Sequence, residues 1–154
     1  MDNRSGLSLL QLDPPRPYQG LLLGLDFGLK RIGVATGHTV TKIANSLTIL
    51  HAKNGLPQAG ELEKIIQVWQ PQAIVLGIPL NMDDTPQPLT YKARQFALML
   101  KKYGLPVHGM DERLTSIEAR QRVFDEGGYR AIQKNQIDAL AAKLILEEWM
   151  TLFQ

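Results

Sequence analysis

The sequence predicts an α/β domain built on a five-stranded mixed sheet, an antiparallel meander extended by parallel strands and flanked by helices. Three observations carry this. The apolar runs Leu21 to Asp26 and Arg31 to Thr36 are separated only by a short connection holding Gly28, which permits an antiparallel hairpin and no crossover. Ala73 to Ile78 (AIVLGI) is apolar throughout, as in a strand covered on both faces. Beyond it, helical and strand patterns alternate, the arrangement of parallel crossovers.

Taken in order, residues 1–20 hold Pro14, Pro15 and Pro17 and no sustained periodicity, so they are expected to form a flexible N-terminal tail, with the domain spanning 21–154. The hairpin strands follow, and Ala44 to Leu50 reads as a third strand. Leu62, Ile65, Ile66 and Trp69 stand at helical spacing, and Pro71 stops that helix. After the strand Ala73 to Ile78 comes a loop with Pro79, Pro86 and Pro88. Leu89, Ala93, Phe96, Ala97 and Leu100 then mark one face of a second helix. Val107 to Met110 is a short strand, Ser116 to Phe124 a third helix, and Gln136 to Trp149 a fourth, striped by Ile137, Leu140, Ala141, Leu144 and Ile145.

Composition narrows the chemistry. With 154 residues and 44% hydrophobic side chains, the chain can bury one real core. The absence of cysteine removes disulfide scaffolds, thiolate metal sites and thiol nucleophiles. Any metal must be held by oxygen or imidazole, and His38, His51 and His108 are too scattered to suggest a local ligand pair. No apolar run approaches the ~20 residues of a membrane span, so a soluble, cytoplasmic protein without membrane contact is expected. The formal net charge is +2, with the basic excess in residues 88–134, where an anionic partner is expected to lie.

Acidic residues fall at the ends of the elements. Asp26 closes the first strand, Asp111 and Glu112 follow the last strand, and Asp138 lies in the first turns of the final helix. A carboxylate embedded in apolar sequence is costly unless it is paired, hydrogen-bonded or bound to metal. Convergence on hard divalent cations such as Mg²⁺ is the functional explanation, and such cations can activate water and stabilise the oxygens of a phosphodiester undergoing displacement. Local explanations also exist: Asp26 suits a turn, and Asp138 suits a helix N-terminus. Adjacent residues of a strand point to opposite faces, so only one of Asp111 and Glu112 can join such a site.

The glycines at 24, 28 and 33 lack dinucleotide or Walker spacing and fit tight turning and close backbone approach. Lys30 and Arg31 project from that hairpin toward a phosphate backbone or toward solvent. The stretch GGYRAIQK from Gly127 to Lys134 couples glycines with Tyr129 and Arg130, a composition suited to nucleic acid and equally ordinary in a loop between helices.

Four segments, GLDFGLKRIGVATG, VLGIPLNMDDTPQPLT, DERLTSIEAR and QIDALAAKLILEEW, in this order, resemble the YqgF/RuvX family of Holliday-junction resolvase-like proteins, also described as pre-16S rRNA nucleases. The resemblance runs from about Leu23 to Trp149. It implies an RNase H-like fold, and an acidic catalytic and metal-binding set that corresponds here to Asp26, Glu112 and Asp138, with Mg²⁺ or Mn²⁺ as cofactor. Leu29 stands where the family often has Thr, Asp84 where Gly is common, and Gln136 where Lys is frequent. These departures bear on substrate details rather than on the acidic set.

The leading expectation is a metal-dependent nuclease maturing the 5′ end of pre-16S rRNA, with Lys30, Arg31, Arg113 and Arg130 positioning the backbone, and nucleic acid and ribosomal particles as partners. Resolution of branched DNA, a four-way Holliday junction, uses the same chemistry and is the close alternative. A non-catalytic RNA-binding assembly factor is a second class. LDFG followed by GVATG also resembles the phosphate hairpin of actin-like ATPases, but those close two lobes around a nucleotide and this chain has the length of one.

Overall fold

The structure, a computed structural model, describes residues 12–79, 88–112 and 134–154, and the side chains of the last stretch from Ala139 onward. Its strands are β1 (Leu21–Asp26), β2 (Arg31–His38), β3 (Ile43–Lys53), β4 (Leu56–Pro57), β5 (Ala73–Ile78) and β6 (Val107–Asp111). The described helices are α1 (Glu61–Trp69), α2 (Pro88–Leu100), which runs into a 3₁₀ turn at Lys101–Tyr103, and α3 (Lys134–Phe153). The sheet order is β4-β3-β2-β1-β5-β6; β1 to β4 pair antiparallel, and β1-β5-β6 pair parallel. The mixed sheet is as expected, with six strands among the described residues instead of five.

The added strand has a local cause. Asn54 and Gly55 take φ of 55° and 85°, the pair of left-handed residues that a tight hairpin turn requires, so β3 runs on to Lys53 and folds back onto β4. The expected end of the third strand at Leu50 overlooked this Asn-Gly signal. Strand β2 likewise continues past Thr36 to His38, α3 is longer than Gln136–Trp149 at both ends, and the helix expected over Ser116–Phe124 lies outside the described residues.

Side-chain alternation divides the core. Leu23 and Leu25 of β1, Ile32 and Val34 of β2, and Ile74, Leu76 and Ile78 of β5 pack under Leu62 of α1 and Phe96 and Leu100 of α2. On the opposite face, Leu22, Val75 and Met110 pack under Ile145, Leu146, Trp149 and Met150 of α3. The all-apolar β5 needs both covers.

Residues 12–20 depart from the expectation of a flexible tail. The Asp13 N–H donates to the Val107 carbonyl (2.9 Å), and the Val107 N–H donates to Asp13 Oδ2 (2.9 Å), so this segment satisfies the outer edge of β6. Tyr18 is fixed by its N–H donating to Gln154 Oε1 (2.8 Å) and by its hydroxyl meeting His108 Nε2 (2.5 Å). Prolines that cannot donate suit such an edge strap as well as they suit a linker.

Candidate active site

Strands β1, β5 and β6 run parallel, so their carboxyl ends lie at one end of the sheet. Asp26 is the last residue of β1, its register partner on β5 is Gly77, and the partner of Gly77 on β6 is Met110. Asp26 shares the face of Leu22 and Gly24, over which α3 lies: a Cβ on Gly24 would stand 2.8 Å from Leu146 Cβ and 3.2 Å from the Ala142 carbonyl oxygen.

The adjacent pair at the end of β6 divides as strand geometry requires. Asp111 is buried and has the parity of Val107, which packs toward α2. Glu112, half-buried just past the strand, turns to the α3 face: its Oε1 lies 3.3 Å from where a Cβ on Gly77 would sit. Because Gly77 neighbours Asp26 at the ~4.8 Å spacing of paired strands, the Glu112 carboxylate comes to rest beside the Asp26 position. Strand alternation alone left the choice between Asp111 and Glu112 open, the family resemblance pointed to Glu112, and Gly77, whose missing side chain admits that carboxylate, was overlooked.

Asp138 is helical, in the first turns of α3 and about two turns before Ile145. Ile145 itself sits over Gly77, with its Cδ1 2.5 Å from that glycine's would-be Cβ. The Asp138 side chain is outside the described residues, and among the described residues no group of three Asp, Glu or His gathers to hold a metal. The chemistry of the two placed donors is nevertheless that of a hard-cation site: carboxylate oxygens on one face, in a chain without thiols.

Of the cationic candidates, Lys30 is exposed in the turn between β1 and β2, where its carbonyl accepts from the Ala52 N–H (2.8 Å), and Arg31 is half-buried at the start of β2. Leu29 beside them is 40% exposed, an apolar side chain facing solvent where a hydroxyl is common in the resembling family. Gly28 is indispensable to the turn, since a Cβ there would run into the Arg31 carbonyl oxygen. Arg113, Arg130, the rest of 127–133 and Asp84 lie outside the described residues. At the same end of the sheet, the Thr90 hydroxyl donates to the Pro79 carbonyl (2.6 Å), tying the start of α2 to the end of β5.

His108 is not a ligand. It is fully buried, stacked on Trp149 at 5.0 Å between ring centroids, with Nδ1 3.0 Å from the Asp13 carbonyl and Nε2 facing Tyr18.

A family model described as RuvX: Holliday junction resolvase matches residues 20–152. The chain belongs to the RuvX family. Its relatives include a protein of Haemophilus ducreyi, 49% identical over 129 residues that cover 83% of this chain and 94% of that protein. A Yersinia pestis protein is also 49% identical over 129 residues, covering 83% and 92%. Both carry the name "Putative pre-16S rRNA nuclease". This RuvX chain also shares its fold with Thermus thermophilus RuvC, solved in complex with a Holliday junction substrate (TM-score 0.51, 17% identity, covering 87% of this chain and 96% of that one). The yeast mitochondrial Holliday junction resolvase is similar at TM-score 0.52 and 12% identity, covering 94% and 82%. The expected RNase H-like architecture thus holds, and RuvX membership places the chain among nucleases, hydrolases of phosphodiester bonds.

Proposed function

We propose that this RuvX protein is a divalent-metal-dependent nuclease that acts in the cytoplasm on ribosomal precursor particles, cutting near the 5′ end of pre-16S rRNA, with residues 21–154 as its nuclease domain. The observation that carries this is the Asp26–Glu112 pair: one carboxylate at the end of β1 and one just past β6, on one sheet face, with Gly77 leaving room between them. Asp26, Glu112 and Asp138 are the residues that would hold Mg²⁺ or Mn²⁺. When bound, such a cation offsets the repulsion between carboxylates and polarises the phosphate.

The chain's own residues do the rest. The carboxylates fix where the reacting phosphate sits, and a rigid sheet end holds them with little reorganisation. Lys30, Arg31, Arg113 and Arg130 bind the flanking backbone. Ile145 and its neighbours on α3 keep an apolar wall over the pair, which strengthens electrostatic interactions inside.

The test is cleavage of a labelled RNA spanning the 5′ end of pre-16S rRNA, with Mg²⁺, Mn²⁺ or chelator. Asp26→Asn is expected to lower cleavage by about two orders of magnitude or more while RNA affinity changes little. Equal cleavage by wild type and variant would refute the assignment. A four-way DNA junction run in parallel addresses the second reading, which the description of the family model favours; faster cleavage of the junction would move the substrate from RNA to branched DNA.

A further inference from the structure

Between Phe27 and Gly60 the chain carries Lys30, Arg31, Lys42 and Lys53 and no aspartate or glutamate. This stretch comprises β2, β3 and β4, the half of the sheet that extends away from Glu112 beyond β1. Strand register places Arg31 and Lys53 on one face. Ile32 and Leu50 pack toward α1 and α2, so their neighbours Arg31 and His51, themselves register partners, lie on the other face, the face of Asp26. Lys53 has the parity of His51, and Ala52 between them packs into the α1–α2 core.

Asp26 pairs with Gly33, which carries no side chain, and Arg31 stands two residues farther out along β2. The row Arg31–His51 therefore begins on the order of 10 Å from Asp26 on the same face. Lys30 sits in the adjoining turn. Lys30, His51 and Lys53 are exposed and Arg31 is half-exposed. Lys42 is exposed too, but it lies in the turn at the opposite end of the β2–β3 hairpin.

We propose that Lys30, Arg31, His51 and Lys53 form a phosphate track that carries a single RNA strand from the Asp26–Glu112 pair outward across the Arg31–His51 end of β2 and β3, away from Gly37, Ala44 and Ser46, where α3 covers that face. The proposal rests on the nuclease reading and adds to it His51 and Lys53 and the direction in which the strand leaves. Two features argue for this occupant. The track continues the acidic pair on one face, so one strand can touch both. Strands β2, β3 and β4 carry cations and no carboxylate of their own, so this part of the sheet contributes net positive charge, as a polyanion's path requires.

The experiment measures affinity for a fluorescently labelled single-stranded RNA in chelator, across a salt series, for the full chain and the variants Lys53→Gln, His51→Gln and Lys42→Gln. A contact to one phosphate of a single strand contributes ~0.7 to the slope of log affinity against log salt. Lys53→Gln is expected to weaken binding about three- to tenfold at low salt and to flatten the slope by about that amount, and His51→Gln to weaken binding in the same sense. Lys42→Gln removes the same charge as Lys53→Gln and is expected to stay within about twofold of wild type, because it lies off the track. Thermal unfolding confirms that each variant folds. An equal effect of Lys42→Gln and Lys53→Gln overturns the track, since net charge alone would then explain the loss. A wild-type slope in both His51→Gln and Lys53→Gln, in a protein whose wild type cleaves RNA, overturns the track and leaves the nuclease reading standing. A wild type that neither binds nor cleaves RNA overturns both.

Discussion

A methyl group added at position 77 would meet Ile145 Cδ1 at 2.5 Å and Glu112 Oε1 at 3.3 Å, and these two neighbours respond differently. The Ile145 tip is packed in the core and must shift, whereas the Glu112 carboxylate can move away from Asp26. Gly77→Ala is therefore expected to cost about 1–3 kcal/mol in denaturant unfolding, the usual range for overpacking, and to lower cleavage. Adding Ile145→Val removes Cδ1 and should restore much of the stability. Cleavage should stay low, because Glu112 remains displaced. Recovery of both together would mean that the carboxylate does not depend on the gap. Asp26, Glu112 and Asp138 could be singled out in the sequence because each sits in a distinctive motif at the end of an element. Glu112 was preferred to Asp111 by family resemblance, strand register supplies the physical reason, and Gly77 was illegible because an absent side chain makes no pattern. Glycines 24 and 28 were read correctly as close approach and tight turn, but that reading stopped at the first hairpin.

Among the elements, β6 shows how an edge is made safe. Segment 12–20 supplies the backbone bond from Asp13 to Val107 and the Asp13 carboxylate that accepts the Val107 N–H. Asp13→Ala would orphan that buried donor, for an expected loss of about 1–2 kcal/mol in urea unfolding, while Asp13→Asn, which keeps an acceptor oxygen, should lose much less. Equal losses would show that charge, and not the hydrogen bond, holds the strap. The elements legible in the sequence were those with a hydrophobic period: the limits of β1 and β5 were read without error. Those set by polar satisfaction were missed. Segment 12–20 has no period to read, and β4 owes its existence to the Asn54-Gly55 turn rather than to any apolar pattern of its own.

At the scale of the whole molecule, His108 joins parts that are far apart in the chain. The Asp13 carbonyl can only accept, so His108 donates from Nδ1, and Nε2 accepts from the Tyr18 hydroxyl, whose oxygen in turn accepts from Arg16 Nε (2.9 Å). Trp149 of α3 stacks on the ring from the other side. The order of elements foretold the architecture because hairpins and crossovers admit few arrangements, but nothing in the sequence foretold that this histidine would lock the first described residues to the last helix. Burial, chiefly, holds its pKa below the ordinary 6.5, with the Arg16 charge acting in the same direction and the contacts to Asp13 opposing them. The sign of the pH dependence follows. Above pH 6.5 the ring is neutral in both folded and unfolded chains, and its contribution to stability is intact. As pH falls below 6.5, the unfolded chain takes up a proton that the folded ring refuses, so stability drops until pH reaches the lower folded value. The wild type is therefore expected to lose unfolding midpoint between pH 7.5 and 5.5. His108→Gln, less stable at neutral pH because the stack and one hydrogen bond are lost, should show a shallower decline over the same interval. An equally steep decline in the variant would assign the acid sensitivity to other groups and leave His108 with a purely packing role.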